Sequence, residues 1–120
     1  MLSNTLLQIE AIIQEKLNKE TADEFLKFMK SYRKGMWIYP GVIKRKFSLS
    51  MSDVYNILTA MEKIGVLQSY YEMCCNKCQK SVGIVKLFNE LPDTFYCEIC
   101  GDELSTLENT ILIYKVVVNE

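Results

Sequence analysis

The chain has 120 residues, 49% of them apolar and 24% charged, with 14 basic and 15 acidic side chains and a net charge of −1. That is enough apolar matter for one packed domain or two very small ones, and it excludes a disordered or collagen-like chain. Histidine is absent, which removes the commonest general base and every imidazole metal ligand.

The first expected element is an amphipathic helix over Asn4 to Asn18. Leu6, Ile9, Ile12 and Ile13 recur at helical spacing, and Gln8, Glu10, Gln14, Glu15 and Lys16 fill the opposite face. Its apolar side can close the core of its own chain, or pack on a partner protein or a second copy as a homodimer. Thr21-Ala22-Asp23-Glu24 has the form of a capping box and predicts a helix running to Lys34, with Gly35 as its stop. Met36 to Tyr39 is a short β-prone stretch with Trp37 as a core candidate. Pro40 suits the first turn of a helix over 40–47. Ser48-Leu49 makes a turn, and Ser50 with Asp53 caps a helix over 50–64 that Gly65 ends. The segments 66–73, 82–88 and 110–118 read as strands, Pro92-Asp93 as a turn, and Phe95-Tyr96 as an extended lead into a cysteine pair. No run is long and apolar enough to span a bilayer, and the first residues lack the charge and cleavage pattern of a secretory signal. Together these features point to a cytoplasmic protein with no membrane contact.

Four of the five cysteines carry the strongest chemical signal. Cys75-Asn76-Lys77-Cys78 and Cys97-Glu98-Ile99-Cys100-Gly101 are two C-x2-C pairs separated by eighteen residues. A two-residue gap lets both thiolates of a pair reach one ion at about 2.3 Å, and two pairs complete a tetrahedron. The expectation is one structural Zn2+ held by Cys75, Cys78, Cys97 and Cys100, with no coordination position left for catalysis. The rival reading is a redox pair, which needs a helix after the motif, and neither pair has one. Cys74 reads as a small buried hydrophobe, with replacement of Cys75 as ligand the alternative.

Charge is unevenly laid out. From Phe25 to Ser52 there are seven basic residues and no acid; from Leu87 to Glu120, Lys115 stands alone among acids. Two surfaces with different partners are expected, the acidic one together with the N-terminal helix serving protein contacts.

Helix 21–34, a short strand, helix 40–47, a tight turn, helix 50–64 and a strand follow in the order of a winged helix. The stretch from Val54 to Leu67, with its Ile64-Gly65-Val66-Leu67 ending, resembles the recognition helix of that family and the strand after it. Followed by a four-cysteine ribbon, the arrangement is similar to the N-terminal half of the general transcription factor E alpha subunit and to small bacterial winged-helix–ribbon proteins. The resemblance implies a winged helix over 20–73 and a zinc ribbon over 74–120; with the extra N-terminal helix over 1–19, in which the chain departs from that pattern, the expected chain is α+β in three parts. It also implies a nucleic-acid-associated or assembly role, of which a DNA-binding regulator is the leading expectation. Duplex DNA would meet Ser52, Tyr55, Asn56, Thr59 and Lys63 in its major groove, and Arg33, Lys34, Lys44, Arg45 and Lys46 at its phosphates. The alternative is an adaptor in a multiprotein complex whose winged helix docks on protein, a reading favoured by Asp53 and Glu62 on the reading helix. No nucleophile–base pair and no glycine-rich phosphate loop is present, so an enzyme is not expected.

Overall fold

The structure is a computed structural model that describes residues 1–86, 93–106 and 108–118. It is an α+β chain: four helices, then an antiparallel sheet and a two-stranded hairpin. The helices are α1 (Ser3–Ile13), α2 (Lys19–Lys30), α3 (Pro40–Phe47) and α4 (Met51–Lys63). The strands are β1 (Trp37–Ile38), β2 (Leu67–Cys74), β3 (Ser81–Val85), β4 (Thr94–Tyr96), β5 (Glu103–Ser105) and β6 (Thr110–Val116). The larger sheet has the order β1-β6-β2-β3, and β4 pairs with β5. The chain forms two compact units, one comprising Met1–Gln68 and the segment from Tyr114, the other Ser69–Ile113.

In the first unit, α1 packs against α2 and α4, and α3 packs against α4. Ile9 and Ile13 of α1, Phe25 and Met29 of α2, and Val54, Ile57, Leu58 and Met61 of α4 are all buried. Their i, i+3, i+4 spacing is what turns one face of each helix inward. The leading helix therefore contributes to the core of its own chain. Phe47 of α3 lies against Phe25 and Phe28 of α2, each with ring centroids 5.5 Å apart. Ile38 and Tyr114 pair across β1 and β6 and close the sheet side of this core.

Three helix boundaries differ from expectation. α2 begins at Lys19, two residues before the Thr21 box, because Asn18 adopts an extended conformation and its side chain accepts from the Thr21 amide at 2.8 Å. Asparagine is as good a cap as any residue, and Ala22 in the first turns of the helix is buried. α1 stops at Ile13 rather than running to Asn18, with Gln14 as its C-cap. α2 ends at Lys30 rather than Lys34. The Ser31 hydroxyl donates to the Phe28 carbonyl, and the Met1 amino group donates to the carbonyls of Lys30 and Tyr32. Gly35 instead lies in the turn before β1, at φ 94°, with its amide donating to Val116.

The other boundaries follow the sequence closely. α3 has Pro40 in its first turn, and Ser48, in the left-handed region, ends it. Ser50 Oγ accepts from the Asp53 amide at 3.1 Å and starts α4. Gly65, at φ 85°, turns the chain from α4 toward β2.

In the second unit, β2 and β3 pair with a register shift at Met73 and Cys74. Cys74 pairs with Ser81 and Met73 with Gly83, so β3 carries one extra residue. The β4–β5 hairpin was not anticipated at β5. Its three residues include two polar ones and give no strand pattern; pairing of Phe95 with Leu104 makes the strand. Residues 87 and 88 of the expected strand 82–88, and Pro92 of the expected turn, lie outside the described residues. Among the described residues, no helix is long and apolar enough to cross a membrane.

Candidate metal centre

The chain leaves β2 at Cys74 and turns through the first knuckle into β3; it leaves β4 at Tyr96 and turns through the second into β5. The two knuckles have the same backbone. In the first, the Cys75 amide donates to Lys80 at 3.0 Å and the Gln79 amide to Cys75 at 2.8 Å. In the second, the Cys97 amide donates to Asp102 at 3.0 Å and the Gly101 amide to Cys97 at 2.8 Å. The residue after each second cysteine has positive φ: 57° at Gln79 and 77° at Gly101. A glycine was foreseeable at 101. At 79 nothing in the residue type signals a left-handed turn.

This repeated geometry brings the four sulfurs of Cys75, Cys78, Cys97 and Cys100 within 4.8 Å of one another. Cys75 to Cys100 and Cys78 to Cys97 are both 3.5 Å. A tetrahedral ion with bonds of about 2.3 Å needs sulfurs about 3.8 Å apart, so the donor set fits one metal ion such as zinc. Cys75 and Cys97 are buried together with Leu104, and Val82 and Phe95 pack on them, which gives the centre an apolar floor.

Local dipoles suit negative sulfur. The Cys97 thiol is pulled down to about 6, chiefly by the Cys100 amide directed at it and also by that of Ile99, against the effect of burial. Cys75 is lowered in the same way by the amides of Cys78 and Lys77. Their neighbours respond oppositely: burial leads in raising Cys78. Cys100 is pushed up to about 12: the Asp102 amide favours its thiolate, but the bond to Cys75, burial and Cys97 outweigh it. One sulfur of each knuckle is thus lowered and the other raised, and a divalent cation among them would favour the thiolate form of all four.

Two contacts were not anticipated. Lys77 at the tip of the first knuckle bonds Asp102 of the second at 3.0 Å, which raises Lys77 and lowers Asp102. Cys74 has its sulfur 3.5 Å from Oε1 of the buried Glu72, whose Oε2 accepts from the Ser81 hydroxyl at 3.2 Å. Burial, together with that carboxylate, pushes the Cys74 thiol up to about 11. Cys74 is half-buried and outside the four-sulfur cluster, which includes Cys75 instead.

The residues expected to meet nucleic acid are all in the first unit. Ser52, Asn56, Thr59 and Lys63 are exposed on α4, and Tyr55 beside them is half-buried. Lys44, Arg45 and Lys46 are exposed in the last turn of α3, with Lys46 Nζ 5.2 Å from the Phe28 ring centre. Arg33 and Lys34 are exposed in the turn after α2. Trp37 is half-buried, with Lys115 Nζ 5.4 Å from its ring centre. Comparison with known proteins adds no relative to this description: no protein-family model, no curated protein and no solved structure matches the chain.

Proposed function

We propose that the chain is a small duplex-DNA-associated regulator, a winged helix whose second unit is a ribbon held by one structural Zn2+. The single observation that carries the nucleic-acid reading is the outer face of α4. Ser52, Asn56, Thr59 and Lys63 are exposed along one side of a helix whose other side is fully committed to the core. α3, which packs on it, ends in three exposed cations. A helix so divided can enter a major groove at no cost in core packing. Asn56 is the natural reader of adenine, and Lys44, Arg45 and Lys46 are phosphate contacts. The order α2, β1, α3, α4, β2 supports the winged-helix assignment. Four thiolates leave zinc no open position, which makes its role structural.

Exposed Asp53 and half-buried Glu62 on the same helix favour a second reading, docking on a protein. Anisotropy titrations of mixed-sequence duplex at several salt concentrations separate the two. DNA binding predicts a steep fall of affinity with salt. Replacing Lys44, Arg45 and Lys46 together by Ala lowers the log–log slope by about 2–3, close to 0.9 per lost phosphate contact. Absence of binding at low salt, or an unchanged slope, makes the chain an adaptor.

A further inference from the structure

α1 and α2 run antiparallel, since the Met1 amino group sits on the carbonyls of Lys30 and Tyr32 at the far end of α2. Between them lies a shallow groove of about 590 Å³ that the core does not use. Its middle is apolar: Leu7 is 62% exposed, and Leu6 and Leu26 are half-buried. Leu2, 60% exposed, is the N-cap of α1, four residues before Leu6. The ends differ in sign. Glu10 and Asp23 flank one end, and Lys27 and Lys30 the other.

An apolar strip with two acids at one end and two bases at the other is complementary to itself when turned end for end. We infer that this groove is the contact surface of a homodimer, in which the α1–α2 pair of one copy lies antiparallel on that of a second. A two-fold axis through Leu7 sets Glu10 and Asp23 of each copy against Lys27 and Lys30 of the other, and covers leucines that otherwise face water. A foreign partner would need the same leucine strip and the same charge order reversed; a second copy has both by construction. The inference is independent of the nucleic-acid reading, because none of these residues belongs to the face of α3 and α4.

The test is sedimentation equilibrium of the zinc-loaded full chain from low to high micromolar concentration, with circular dichroism to establish folding of each variant. The unaltered chain forms a dimer. E10K/D23K, with a wholly basic groove, and K27E/K30E, with a wholly acidic one, each lose self-association by about tenfold or more. Mixed one to one, they form a heterodimer. L7S, a surface change that leaves the fold untouched, also weakens the dimer. A wild-type chain that stays monomeric overturns the inference. So does a dimer indifferent to L7S and to both double reversals, and so do two reversed variants that fail to recognise each other.

Discussion

Gln79 and Gly101 occupy the same place in two knuckles of the same backbone, and this equivalence supports a prediction with a worked magnitude. A side chain in the left-handed region costs about 1–2 kcal/mol relative to glycine. Glycine in turn costs about 0.4–1 kcal/mol through the greater freedom of its unfolded chain. A Cβ on Gly101 would meet no atom within 4 Å, so the difference there is purely conformational. Gly101→Ala therefore destabilises the second knuckle by about 1 kcal/mol, and Gln79→Gly stabilises the first by about 0.5 kcal/mol. Because folding of a small zinc unit and metal binding are linked, both changes appear in the apparent zinc affinity. Competition with a chelator of known affinity should show about fivefold weaker binding for Gly101→Ala and about twofold tighter for Gln79→Gly. Weaker binding by Gln79→Gly would refute the equivalence, since it would mean that the Gln79 side chain supplies something the backbone comparison leaves out.

Three further outcomes follow from the same contacts. Cys75→Ser abolishes stoichiometric zinc uptake whereas Cys74→Ala leaves it intact, measured by metal analysis after dialysis; the reverse result would move the ligand position to Cys74. Zinc binding at pH 7.4, followed by calorimetry in buffers of different ionisation enthalpy, releases about three protons or fewer, because Cys97 near 6 is already a thiolate in the apo protein. The sign is that of a depressed acid: the advantage of the Cys97 thiolate is full above the unfolded thiol value of about 8.5 and is lost as pH falls through 6. Release of nearly four protons would show that the knuckles do not exist before metal arrives. Phe25→Ala, at a fully buried position against Phe47, costs about 3–5 kcal/mol in urea unfolding, and a cost under about 1 kcal/mol would contradict the packing described.

The four-cysteine cluster was legible in the sequence because C-x2-C spacing is itself the geometry of a knuckle. α3 and α4 were legible because Pro40, Ser50 and Gly65 mark their ends by local chemistry alone. Where two local signals competed, the order of strength was hidden: Asn18 and Thr21 are both good caps, and residue type alone does not tell that Asn18 is the one used. The stop at Lys30 depends on the Ser31 hydroxyl and on a main-chain group at the other end of the first helix, which no window around residue 30 contains. β5 and the left-handed Gln79 are imposed by the hairpin and the knuckle on residues with no preference for them. The Lys77–Asp102 bond joins positions that only the sulfur cluster brings together.

The Val117 amide donates to the Val66 carbonyl at 3.0 Å. The backbone thus departs toward its cysteine-bearing detour and comes home at neighbouring points of one small scaffold. Closing so short a gap needs only a tight turn, whatever length of chain is taken out. Such a detour can be lengthened or exchanged over evolutionary time without re-registering the helices of the first unit, which makes the cysteine-bearing unit the part of this molecule freest to acquire a new task.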